Sequence, residues 1–124
     1  VKRVTKKQYE YFCGRVKYWM QDFGITGWTV FFLHQDLQDS SAEIRYTYSE
    51  RAVTFALPWY VYQTTRKVLD ETALHEVIHL VLAPLDVMAK CRYIEEREIQ
   101  DVVEGTTCRL TNFIMKLRGI SSNE

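Results

Sequence analysis

The chain has 124 residues, 16 Lys and Arg against 16 Asp and Glu, and 47% hydrophobic residues. That length implies a single domain over 1–124; the apolar share excludes a disordered chain, and a formal charge of zero argues against a dedicated nucleic-acid binder. No stretch approaches the roughly 20 apolar residues a bilayer span requires, and Cys13, Cys91 and Cys108 are too few and too scattered for a disulfide framework, so the expectation is a soluble, reduced, cytoplasmic domain.

From about Thr5 to Phe23 the apolar residues Tyr9, Phe12, Val16, Trp19, Met20 and Phe23 recur at helical spacing, with Lys6, Lys7, Glu10, Arg15 and Lys17 on the other faces. Gly24 supplies the stop. The basic cluster Lys2, Arg3, Lys6 and Lys7 reads as a solvated helix start. Gly27 to Leu33 is rich in aromatic and β-branched residues and reads as a strand, with burial on both faces an option. A polar loop, His34 to Ser41, follows. Ile44, Tyr46 and Tyr48 alternate with polar residues, a half-exposed strand; after a turn at Ser49-Glu50, Val53, Phe55 and Leu57 alternate again up to Pro58. With no crossover helix between them, three short strands favour a mostly antiparallel sheet. Thr64 or Thr65 can cap a helix running to about Ala83, before Pro84. A short connection through Asp86 to Tyr93 then leads to a last helix, Ile94 to Arg118, with Gly119 as its stop. The sum is an α+β domain with helices on one face of a sheet.

Residues 74–80 read Leu-His-Glu-Val-Ile-His-Leu. His75 and His79, four apart on a helix, project from one face, a spacing that lets two neutral imidazoles hold one zinc ion. Glu76 lies about 100° further round, where its carboxylate can reach a zinc-activated water without taking a metal position. Zinc brings the pKa of such a water to about 7, and the glutamate can serve as general base and proton shuttle. Two histidines and a glutamate in an otherwise apolar helix are costly without partners.

A hydrolytic zinc takes three protein ligands and keeps one position open. The place six residues past the second histidine is Leu85, and the preceding glycine position is Leu82, which excludes a third histidine there. A glutamate from the last helix is the other source. Asp101 and Glu104 point away from that helix's apolar stripe (Ile99, Val102, Val103, Thr106, Leu110, Phe113, Ile114, Leu117). Glu98 sits at the stripe's border and is the chosen third ligand, with Glu95 and then Glu96 behind it. Tyr60, Tyr62, Tyr93 and His34 are candidates to steady an oxyanion. The run Arg51–Leu57 is a candidate edge strand along which an extended substrate could lie. Cys91 and Cys108 lack metal-binding spacing and read as structural thiols.

With those residues in hand, the segment Ala73–Leu85 followed by Glu98–Val103 resembles small gluzincin-type zinc peptidases, the short HExxH proteins of phages and other mobile elements. It is similar, more distantly, to the ImmA/IrrE-like peptidases, whose ligand glutamate is followed by small or apolar residues one, four and five positions on. Ile99, Val102 and Val103 match that pattern with Glu98 as ligand. Asp101, three residues after Glu98, departs from the larger gluzincins, where an aspartate follows at four. The resemblance implies a zincin-like fold, Zn2+ as cofactor, a peptide or protein substrate in the cytoplasm of a bacterial host, and peptide-bond hydrolysis. A non-catalytic, zinc-stabilised binding protein acting on a host or phage partner is the competing expectation.

Overall fold

The computed structural model describes residues 1–117 and Gly119. Elements follow in the order β1 (Lys2–Arg3), α1 (Lys6–Asp22), β2 (Thr29–Gln35), β3 (Glu43–Thr47), β4 (Ala52–Pro58), β5 (Tyr60–Val61), α2 (Arg66–Val81), α3 (Ala83–Ala89) and α4 (Glu96–Leu117). The architecture is α+β: four helices and a small mixed sheet.

The ends of α1 are set by its sequence. Thr5 and Gln8 form a reciprocal capping box, the Gln8 amide donating to Thr5 Oγ1 at 3.2 Å and the Thr5 amide to Gln8 Oε1 at 2.8 Å. At the other end Gly24, at φ 71, donates to Gln21 O while Ile25 donates to Met20 O, a Schellman closure. Between these caps the apolar stripe is buried: Phe12 and Val16 are fully enclosed, Met20 and Phe23 nearly so. Arg15 and Trp19 both donate to Asp70 on α2, at 2.7 Å each, and fix how the two helices cross.

The sheet departs from the antiparallel expectation. Its order is β2-β4-β3, with β2 and β4 parallel in the register Phe32↔Phe55 and β3 antiparallel to β4 in the register Ile44↔Phe55. The parallel pair arises because β3 is placed on the far side of β4, so β3 itself lies on the crossover path from β2 to β4. Burial explains the choice of centre. Val53, Phe55, Ala56 and Leu57 are all buried, whereas in β2 only alternate residues are covered and Phe31 and Leu33 are 54% and 42% exposed. The strand covered on both sides is therefore β4 and not β2, and the run Arg51–Leu57 is a central strand, not an edge; β2 and β3 are the edges. The β3–β4 turn puts Arg51 at φ 53, a position that ordinarily favours Gly or Asn, with the Arg51 guanidinium over the Tyr48 ring.

Three further features depart from the sequence reading. Lys2 and Arg3 are a short strand paired antiparallel with Tyr60–Val61, and the Arg3 guanidinium covers Trp59 and Tyr60. The expected connection from Asp86 contains a helix: Pro84 does not end helical structure but occupies the first turn of α3, which bends 49° from α2. Along α4 the apolar stripe is largely uncovered, with Ile99, Val103, Ile114 and Leu117 exposed, and only Thr106 buried. Phe113 stacks on Phe23 and Lys116 donates to Asp22 O, so α4 is tied to the end of α1. Arg118, expected to end this helix, lies outside the described residues. Among the described residues no single helix is long and apolar enough to cross a membrane.

Candidate metal centre

Helix α2 has two faces with different tasks. Thr65 caps it, accepting from the Val68 amide at 3.3 Å. Leu69, Ala73, Val77 and Leu80 point into the core, and this inner row holds the outer row of Glu71, His75, Ile78, His79 and Leu82 at the surface. The His75 and His79 rings sit side by side, centroids 5.0 Å apart, as the four-residue spacing requires. Both open into a cleft of about 770 Å³ between α2, α3 and the edge strand β3, lined also by Glu43, Tyr46, Glu76, Asp86 and Lys90.

Glu76 is buried to 7% relative exposure and reaches both this cleft and an adjoining one of about 480 Å³ beside Tyr62 and Thr72. Burial pushes its carboxyl up to about 7, with the negative charge of Glu43 adding to the effect. No side chain among the described residues donates a hydrogen bond to it. A carboxyl in that state can accept and return a proton near neutral pH.

The structure brings together His75, His79 and Glu76 but leaves Glu98 out. Glu98 is an exposed residue in the first turn of α4 and does not line the cleft; Glu95 and Glu96 are also exposed and also outside it. Helix α4 packs against α3 and the end of α1, so its N-terminal turn is not laid across the histidines. Among the described residues no three His, Cys, Asp or Glu side chains converge as a ready-made ligand set. The donor chemistry in the cleft nonetheless suits zinc, which accepts imidazole nitrogen and carboxylate oxygen.

The expected oxyanion candidates fare differently. His34 stacks on Tyr9 at 4.6 Å, away from the cleft; its Nε2 is buried without a partner among the described residues, and desolvation lowers its pKa. Tyr60 lies under Arg3, Tyr93 is 85% exposed beside Arg92, and only Tyr62 borders a cavity that Glu76 shares. Cys91 and Cys108 are exposed, so they are not packed structural thiols; Cys13 is half-buried.

Two residues that the sequence reading passed over stand in the cleft. Tyr46, on the helix-facing side of β3, donates its hydroxyl to Asp86 Oδ2, and Lys90 donates to the same oxygen at 3.2 Å. Burial and the hydrogen bond to Asp86 push the Tyr46 hydroxyl up to about 12, so it stays a donor. The Tyr46 hydrogen bond, then that of Lys90, holds the Asp86 carboxyl below its usual range, with His79 contributing. A signal for Asp86 was present: it follows His79 by seven residues, two helical turns, and so falls on the same face.

No family model, no curated protein and no solved structure matches this chain.

Proposed function

We propose that this chain is a zinc-dependent peptidase with a zincin-like arrangement, in which His75 and His79 hold the metal and Glu76 is general base and proton shuttle. The observation that carries the reading is Glu76: a buried carboxyl near its neutral range, opening into the same cleft as two neighbouring imidazoles. A metal cross-link that served stability alone has no use for such a group. When bound, zinc supplies Lewis-acid polarisation of a carbonyl and of water. Glu76 takes a proton from water and passes it to the leaving amine. Tyr46 offers a hydroxyl donor at the cleft wall. Residues 43–46 of the edge strand β3 line the cleft, and its outer edge has backbone groups available to an extended peptide, so β3 replaces β4 as the strand a substrate would join. The substrate is accordingly a peptide or an unfolded protein segment, and by the resemblance above it is met in a bacterial cytoplasm.

The test is cleavage of a quenched-fluorescent peptide library by the zinc-loaded protein and by Glu76→Gln. Cleavage lost in the variant, with metal content unchanged, is expected; equal cleavage by both, or none by either, counts against the reading. The second outcome favours the non-catalytic binding protein, for which the exposed apolar row of α4 is the supporting feature.

A further inference from the structure

The cleft holds a carboxylate that neither the motif nor the resemblance assigns. Asp86 lies in the first turn of α3, seven residues beyond His79, across the 49° bend at Leu82. Its carboxylate is used asymmetrically. Oδ2 accepts from both the Tyr46 hydroxyl and Lys90 Nζ, whereas Oδ1 accepts no hydrogen bond from the described residues. One oxygen is thus pinned from two sides and the other has no donor among the described residues, on a side chain that lines the same cleft as His75 and His79.

Nothing in the packing of α3 requires an aspartate there. Residue 86 is half-buried at the cleft wall, with a side chain 43% accessible, and an uncharged residue would fill the same space. A lone carboxylate paired with lysine would read as an ordinary surface ion pair. The added tyrosine, reaching over from another element at the cost of burying a phenol, goes beyond that. Fixing a carboxylate through one oxygen while leaving the other open is how outer hydrogen-bond partners orient a ligand towards a metal.

We propose that Asp86, through Oδ1, is the third protein ligand beside His75 and His79, that Tyr46 and Lys90 are its positioning residues, and that Glu98 is not a ligand. The proposal rests on the metal reading above and changes its ligand set. It places the three donors on one continuous stretch of chain, residues 75–86, rather than on two separate helices. With the Asp86 carboxylate held by Tyr46 and Lys90, convergence on an ion calls on rotation of the two exposed imidazoles.

The test is zinc affinity, by competition with a chromophoric chelator, for wild type, His79→Ala, Asp86→Asn, Tyr46→Phe and Glu98→Gln. Far-UV circular dichroism of each metal-free variant checks its fold. Wild type should bind one zinc; Asp86→Asn should lose more than about 100-fold in affinity, Tyr46→Phe about 10- to 100-fold, and Glu98→Gln essentially nothing. A loss in both Asp86→Asn and Glu98→Gln supports Asp86 as a donor and overturns the exclusion of Glu98. Unchanged affinity in Asp86→Asn overturns the proposal, whatever Glu98→Gln does, while leaving the metal reading intact. No zinc bound by wild type, and hence no difference from His79→Ala, overturns both together. Should Asp86→Asn fail to fold, Tyr46→Phe decides: wild-type affinity in that variant overturns the proposal, and a loss supports it.

Discussion

Helices α1 and α4 carry equally clear apolar stripes, yet one is sealed in the core and the other lies open. Phe12 and Val16 are fully buried, whereas Ile99 and Ile114 are 41% and 53% exposed. The difference is in the cross-links. Helix α1 has a capping box, a Schellman closure and the Arg15–Asp70–Trp19 clamp onto α2, so its face is both presented and fixed. Helix α4 is tied at its far end, by Phe113 on Phe23 and Lys116 on the Asp22 carbonyl. Periodicity thus states which side of a helix seeks cover, while polar contacts of specific geometry decide what it meets.

That contrast can be broken most severely in the core. Phe12→Ala removes a fully buried ring and should cost about 3–5 kcal/mol in urea unfolding; a cost near that of a surface change would mean that α1 is not packed as described. Asp70→Ala leaves the Arg15 guanidinium and the Trp19 indole without their acceptor, and a loss of about 1–3 kcal/mol is expected by the same measurement. At the other extreme, Val103→Ser on the open stripe of α4 should stay within about 0.5 kcal/mol of wild type. A large loss there would show that α4 is covered in solution.

Between these lies Glu76, where the expected effect reverses sign. Its carboxyl ionises at about 7 in the folded protein against an ordinary 4.5, so between those values the folded state binds more protons than the unfolded one. Stability of the metal-free protein should therefore fall as pH rises from 4.5 to 7 and level off above it. Glu76→Gln removes this penalty. The metal-free variant should match wild type near pH 4 and exceed it at pH 8 by on the order of 1–3 kcal/mol, measured by denaturant titration at both pH values. A variant less stable than wild type at pH 8 would contradict the burial cost assigned to this carboxyl.

Much of this was legible in the residues. The bounds of α1, the three strands of the sheet and the pairing of His75 with His79 follow from local periodicity and caps, which act over a few residues. Strand order is not local. Nothing in the alternation of Val53, Phe55 and Leu57 says that this strand lies between the other two; only the extra burial of Ala56 reveals it once the strands are assembled. The expectation for Glu98 depends on a covered stripe along α4, and that stripe is largely open. Asp86 was hidden for a related reason: Pro84 suggested that the helix and its phase ended there, whereas the chain only bends.

The residue at that bend, Leu82, closes α2 and opens α3 with a single near-helical conformation, φ −87 and ψ −4. Its amide donates to Ile78 O and its carbonyl accepts from the Asp86 amide, both at 3.0 Å. The two helices consequently share one angular phase across a change of direction, like two gears on a jointed shaft. One residue inserted or deleted at this joint would turn residue 86 by about 100° relative to the histidines, and Tyr46 would lose its partner. Descendants of this chain thus cannot change the length of α3 on the near side of Asp86 and keep the cleft.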